Sequence, residues 1–418
     1  MAAVAPDSGS DAALRGLTRN YLAFQVFFAL LFWLPVFYEV QKRLGLSETQ
    51  IFGIQSFYYL LFCLLELPTG WLADRFGLIR SLRLGAVALV AAHLVVVSGD
   101  LGAPIAPYWS FVLHFSLIAL ARSLISGASN AYLYEAYTRA GRESEYVHVE
   151  GRARAYGLFT KIVSWIGVGY LTERMLLGSY WLSLASSLMA VVFAWRLQEG
   201  GWESAREAKS RGSSLWNALL LVFRERRLLG LMIQGMGVFV LARLVQVNLF
   251  QPILLSKGFT VSSLGWVMAL MTAAEAFASL RLKVVLARLR PVESVSILTA
   301  ALAVVVALFS VASGGWVIAG LLAFSLLVGF VGPIQRQVIN GAITDSSHRA
   351  VLLSLESLLD RAATSGVAWL LGLFMAQGRM GFFLILSGAA FLVIAGVQMA
   401  HAFRARRAEA AAAVPVSG

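Results

Sequence analysis

Apolar stretches recur along this 418-residue chain, separated by short polar segments. Each is roughly 18 to 25 residues long, the length at which an α-helix crosses the hydrocarbon core of a bilayer. Twelve stretches predict twelve transmembrane helices, at 20–41, 51–72, 80–99, 108–135, 155–176, 179–197, 228–255, 262–282, 293–313, 316–340, 351–375 and 380–402. The fourth and tenth have room to bend or to run past the bilayer. An even number of spans puts both termini on one side of the membrane.

Composition fits that pattern. Hydrophobic residues make up 59% of the chain and charged residues 13%, with a mean hydropathy of +0.76. A soluble domain of this size needs a charged exterior and cannot place so much apolar surface; a polytopic membrane protein can, because lipid is its outer solvent. Residues 1–11 lack the basic segment and cleavage site of a signal peptide, so the first span is expected to direct insertion. The single cysteine, Cys63, excludes an intrachain disulfide and implies no thiolate metal site. Five scattered histidines show no zinc-ligand spacing, so no metal is expected. No Gly-x-x-x-x-Gly-Lys-Ser/Thr string occurs, which argues against ATP drive within this chain.

The net charge of +12 would point to nucleic acid in a soluble protein. Here it reads as topology. Of 34 Lys and Arg, external loops hold five (Lys42, Arg43, Arg174, Lys257, Arg379). Five more, Arg122, Lys161, Arg243, Arg336 and Arg361, lie well inside spans, whose edges are soft by a few residues, which leaves 24 for the cytoplasmic segments and span ends when the termini are cytoplasmic. The positive-inside rule therefore predicts cytoplasmic termini in a multi-pass protein of the cytoplasmic (inner) membrane, and nucleic acid is not an expected partner.

The longest polar connection divides the chain. The expected organisation is a cytoplasmic tail at 1–19, a six-helix bundle at 20–197, a cytoplasmic linker at 198–227, a second six-helix bundle at 228–402 and a tail at 403–418. Residues 202–209 predict a helix lying along the membrane surface. The halves read as weak parallel repeats. Asn130 closes span four and Gly151-Arg152-Ala153 follows; Asn340 closes span ten and His348-Arg349-Ala350 follows.

Between spans two and three the chain reads Gly70-Trp71-Leu72-Ala73-Asp74-Arg75-Phe76-Gly77. This Gly-x-Leu-Ala-Asp-Arg-x-Gly loop resembles the signature loop of the major facilitator superfamily. The resemblance implies an all-α integral membrane protein of twelve helices in two pseudo-symmetric bundles, with substrate held between them at mid-membrane. It also implies that Gly70, Asp74, Arg75, Gly77 and Arg80 form a gating motif, with Asp74 pairing to the start of span eleven near Val351 and to arginines such as Arg75 or Arg80. Leu78 and Ile79 depart from the family pattern, where Arg and Lys are usual. The equivalent loop after span eight, 281–290, is basic but has no Asp.

Ionisable groups inside spans cost roughly 2.5–3.5 kcal/mol each on insertion scales, so each needs a partner or a water-lined cavity. Glu275, Glu356 and Asp360 are proton-coupling candidates. Glu356 and Asp360 share a helix face at i, i+4, with Arg361 expected to neutralise one of them. Arg122 joins this group by resemblance, since the superfamily often carries a coupling arginine in span four followed by a glycine; here the glycine is Gly127. Arg122, Lys161, Arg243 and Arg336 also form a basic set suited to an anion. Arg243, Gln246 and Asn248 make a polar stripe on span seven, and Gln25 and Gln55 face a cavity from spans one and two. Tyr21, Trp33, Tyr58 and Tyr59 read as interfacial aromatics.

The expectation is a monomeric secondary transporter, not an enzyme, that moves a small organic molecule through the lipid bilayer by alternating access. It would have no cofactor, and the proton gradient would supply the energy. Proton-coupled efflux is the leading direction; uptake or exchange of an anionic metabolite through the basic set is the alternative. The Gly-Pro-rich span-five motif of drug antiporters is absent, Gly167-Val168-Gly169 standing there instead.

Overall fold

In the computed structural model, which describes residues 8–198, 226–282, 286, 290–342 and 346–412, the first expected span is not one helix. It comprises α1 (Ser8–Ala29), a turn at 30–36 and α2 (Phe37–Arg43). Pro35 accounts for the break: it has no N–H to donate and disfavours helix at Leu34. An opened helix inside lipid must find other partners for its peptide groups. Neighbouring side chains provide them. Trp165 Nε1 donates to the Leu31 carbonyl at 3.1 Å, Ser186 Oγ donates to the Phe27 carbonyl at 2.8 Å, and the Phe32 N–H donates to Ser183 Oγ at 2.9 Å.

Two units divide the chain, one formed by 1–211 with 260–269 and the other by 212–259 with 270–418. In unit 1, α3 (Glu48–Phe76) starts at a reciprocal cap in which Gln50 N–H donates to Ser47 Oγ and Ser47 N–H donates to Gln50 Oε1. It is followed by α4 (Leu78–Val97), α5 (Pro107–Ser126), α6 (Ala128–Arg139), α7 (Glu143–Trp165), α8 (Val168–Arg174) and α9 (Gly178–Trp195). Helix α4 lies at the centre, packed on α5 and α9, and α1 packs on α9. One core gathers Tyr21, Phe24, Leu82, Ala86, Tyr132 and Ala194. A second closes around Trp33, which stacks on Tyr180 and meets His114 and Phe115 edge-on. Its indole N–H donates to His93 Nε2 at 3.0 Å, and His114 Nδ1 donates to the Ala92 carbonyl at 2.8 Å. Tyr21, Trp33, Tyr58 and Tyr59 are all buried, so the expected interfacial belt is instead a packed interior.

The fifth expected span is also broken, between α7 and α8 at Ile166–Gly167, and its helix begins a dozen residues earlier than expected, at Glu143. Span four is interrupted at Gly127, between α5 and α6. Ten helical stretches among the described residues are long and apolar enough to cross a membrane; spans one and five are not among them, and each is split. The exact count of twelve is therefore not reproduced by uninterrupted helices.

Unit 2 holds α10 (Arg226–Arg243), a π-helical turn at Leu244–Leu249 and α11 (Phe250–Ser256), then α12 (Val261–Leu280), whose first residues belong to unit 1. After these come α13 (Pro291–Leu308), α14 (Gly315–Ala342), α15 (Ser346–Ala376) and α16 (Met380–Ala412). Helix α13 packs on α14 and α16, while α10 packs on α14 and α15. Helix α14 runs unbroken through Pro333. The surface helix expected at 202–209 lies outside the described residues.

Two of the cations expected in external loops stand in ion pairs. Lys42 pairs with Glu48 at 2.9 Å and Arg43 with Glu39 at 2.7 Å. Such exposed pairs contribute about 0–1 kcal/mol each.

Candidate functional site

The signature loop is a one-residue joint. Helix α3 ends at Phe76, α4 starts at Leu78, and Gly77 between them sits at φ +94°. Only glycine takes that backbone without strain. The Gly77 N–H donates to the Ala73 carbonyl at 3.1 Å, and its carbonyl accepts from Ser81 N at 3.2 Å, so both helix ends are tied through one residue. Arg75 does not turn to Asp74: its guanidinium lies over Trp71 at 5.2 Å and Phe76 at 5.8 Å. Gly70 and Arg80 flank the joint on α3 and α4, while the Val351 side chain lies outside the described residues.

In unit 1, α3 presents Gln55, Tyr58, Tyr59 and Phe62 at helical spacing, all of them buried. Helix α5 supplies Arg122, fifteen residues from its start at Pro107, hence about 22 Å along the helix. Arg122 Nη1 donates to Tyr58 Oη at 3.1 Å, and the guanidinium lies 5.6 Å over the Phe62 ring. Gln25, expected beside this group, instead bonds Tyr21 Oη at 2.8 Å and Ser129 Oγ. Lys161 is half-buried on α7. Tyr58 and Phe62 are site residues that the sequence reading passed over; their i+3 and i+7 spacing from Gln55 was the available signal.

Unit 2 gathers its polar residues more tightly. Arg243 Nη1 lies 2.8 Å from Asp360 Oδ2 and donates to Thr364 Oγ1 at 3.3 Å. Asp360 is buried on α15, with its side chain 6% exposed against 29% for Arg243. The π-helical turn directly after Arg243 widens the backbone. Asn248, five residues on, donates its amide to the Arg243 carbonyl at 3.4 Å. Gln246 Nε2 donates to Glu275 Oε2 at 2.9 Å and to Ser325 Oγ at 3.4 Å. The π-helical turn thus carries two of the expected polar positions, Gln246 and Asn248, and Arg243 stands at its start.

Glu356 is buried one turn before Asp360 on α15, and Arg336 and Asp360 are the charges acting on it. Its Oε1 lies against the backbone of Gly235 on α10, and a β-carbon there would sit 2.6 Å from that oxygen and 2.7 Å from Gln335 Nε2. The sequence expected Arg361 to neutralise one of the α15 carboxylates; for Asp360 the ion partner is Arg243. Arg336 is exposed, and its guanidinium lies over Phe239 at 5.6 Å. Gln335, Ser325 and Thr364 are further polar members that the sequence did not single out.

Apolar helices long enough to span a bilayer, with charged and amide side chains turned inward, define a multi-pass membrane protein of the transporter class. The chain belongs to the Major Facilitator Superfamily, whose family model matches residues 20–355. No curated protein matches the sequence. Among solved structures it is similar to a mutant form of the nucleoside transporter NupG, with 14% identity, a TM-score of 0.75, and coverage of 92% of this chain and 99% of that one. It is likewise similar to a POT family transporter in complex with a thioalcohol-conjugated peptide, with 14% identity, a TM-score of 0.72, and coverage of 95% and 96%. A D-xylose–proton symporter gives 13% identity, a TM-score of 0.64, and coverage of 91% and 97%. At these identities the likeness speaks for the fold.

Proposed function

We propose that the chain is a proton-coupled secondary transporter of a small organic molecule, working by alternating access in the cytoplasmic membrane with both termini cytoplasmic. The observation that carries this reading is the Arg243–Asp360 pair at 2.8 Å, its carboxylate buried, with buried Glu356 one turn away on the same helix. An ion pair in an apolar interior holds its geometry only while both groups are charged. A proton arriving at Asp360 removes the negative charge and releases Arg243 from its Coulombic partner. The π-helical turn beside Arg243 is a local departure from regular helix of the kind found at functional sites, and it offers a backbone that can rearrange when the pair opens. Glu275, held by Gln246, is the second carboxylate of the same unit and a candidate for relaying the proton.

Gly77 supports the gating role of the signature loop, because a single residue fixes the angle between α3 and α4. Export is the direction that the family resemblance favours.

The test uses purified full-length chain in liposomes loaded with a pH-sensitive dye. A panel of uridine, dialanine, xylose, tetraphenylphosphonium and benzoate is added on one side under an imposed proton gradient. The reading predicts that at least one compound drives proton movement with wild type and none does with Asp360→Asn, while compound exchange without a gradient persists in the variant. Undiminished proton movement in Asp360→Asn would remove the basis of the proposal.

A further inference from the structure

Arg122 is a cation inside a membrane-spanning segment with no carboxylate partner among the described residues. Its recorded contacts are the Tyr58 hydroxyl at 3.1 Å and the face of Phe62 at 5.6 Å, both uncharged. The span runs from Pro107 to Arg139, and Arg122 stands near its middle. A guanidinium there cannot be left facing acyl chains; it needs water, a counter-charge or a ligand. It is also exposed, so four of its five N–H groups are open to whatever approaches.

The neighbouring groups ask for the same kind of ligand. The Tyr58 hydroxyl oxygen accepts from Arg122, and its own hydrogen has no acceptor among the described residues. Gln55, one turn earlier on α3, is 98% buried, and its Nε2 has no hydrogen-bond partner. An unsatisfied buried amide donor costs about 1–3 kcal/mol, so an acceptor that reached it would be favoured by that amount. Three side chains therefore present donors, and no acidic group stands among them. Around the guanidinium the surfaces are aromatic: Tyr58 lies 5.0 Å from Tyr59, 6.1 Å from Phe62 and 5.8 Å from Phe115 by ring centroids.

We infer that Arg122, Tyr58 and Gln55 of unit 1 form the binding site for an organic anion, an aromatic or planar carboxylate whose charged end meets Arg122 and whose ring lies along the Tyr58–Phe62 wall. The inference rests on the transporter reading and names the substrate class for it. A carboxylate matches the fork of the guanidinium and accepts two of its N–H groups together. The apolar ring matches surroundings that hold no further charge, and it can stack on the face of the guanidinium turned away from Phe62. Arg122 is thereby assigned to substrate rather than to the proton, since a coupling role needs a carboxylate beside it and none pairs with it among the described residues.

Binding is measured without any gradient, so this site and the coupling mechanism fail separately. The full chain is reconstituted in nanodiscs and its thermal unfolding followed with benzoate, 4-hydroxybenzoate and indole-3-acetate. Benzamide, benzylammonium, acetate and sulfate are the controls. A ligand that binds only the folded state raises the unfolding temperature saturably. The expected result is a saturable rise with at least one aromatic carboxylate and none with benzamide or benzylammonium. Arg122→Gln is expected to weaken binding by about tenfold or more, and Tyr58→Phe by about three- to tenfold. Arg122→Lys should fall between wild type and Arg122→Gln, because it restores charge without the fork. Should Arg122→Gln fold poorly, Tyr58→Phe keeps the ring and its packing and carries the test alone. Wild type unmoved by all three acids, equal response to benzamide or sulfate, or unchanged affinity in both Arg122→Gln and Tyr58→Phe would each overturn the assignment.

Discussion

Arg122 and Arg243 are both arginines inside apolar membrane helices, and the protein treats them in opposite ways. Arg243 is three-quarters covered, locked at 2.8 Å to the carboxylate of Asp360, and followed by a π-helical turn whose Asn248 satisfies its carbonyl. Arg122 is exposed, bound to one phenol and one ring face, and carries its charge uncompensated among the described residues. In the first arrangement the cation already has its counter-charge, and protonation of Asp360 would remove it. The second is incomplete without one. The difference separates a group that holds a carboxylate from a group that waits for one.

The largest effect that can break this comparison is on coupling. Asp360→Asn should lower proton-driven flux in liposomes by about a hundredfold or more, the scale of losing a group that carries a proton in the working step. Equal flux in the variant would make Arg243–Asp360 a structural pair and remove the distinction. Next comes stability. Asp360→Ala leaves Arg243 without its counter-charge and should cost about 3 kcal/mol in thermal unfolding. The double change Arg243→Met with Asp360→Leu should recover most of that while leaving coupling dead. A double variant as unstable as the single would show that packing, not charge, sets the cost.

Two smaller effects sharpen the picture around these sites. Gly77→Ala forces a β-carbon into φ +94° at the α3–α4 joint and should cost about 1–2 kcal/mol, with transport slowed and substrate binding retained. Unchanged transport and stability would mean that the joint tolerates another backbone. Gly235→Ala places its methyl against Glu356 Oε1 and Gln335 Nε2, both at the ends of flexible side chains, so the fold should lose less than about 1 kcal/mol. Its signature is instead a shifted pH profile of transport, because Glu356 must move. An unmoved profile would take Glu356 out of the coupling set.

Much of the fold is legible in the chain because lipid imposes one rule, that spans be long and apolar. That rule also hides breaks. Averaging over a window of about 18 residues passes smoothly across Pro35 in span one and Gly167 in span five, although the backbone opens at both. The opened turn at 30–36 is sustained by Ser183, Ser186 and Trp165, more than a hundred residues away, and no local pattern announces such partners. The site divides the same way. Arg243, Gln246, Asn248, Glu275, Glu356 and Asp360 stood out as polar residues in apolar runs. Their pairing did not, since Arg243 reaches Asp360 across 117 positions. Tyr58 was hidden by its own chemistry: a tyrosine in a span reads as an interfacial anchor until its hydroxyl is found on Arg122.

The most direct measurement is the thermal unfolding of Arg122→Gln and Arg243→Gln side by side, full-length in nanodiscs, without ligand. The account predicts that Arg243→Gln loses about 3 kcal/mol, because Asp360 is left as a buried carboxylate without its cation. Arg122→Gln should unfold at or above the wild-type temperature, because it removes a charge that the ligand-free protein does not balance. Equal losses in both variants, or a greater loss in Arg122→Gln, would contradict it.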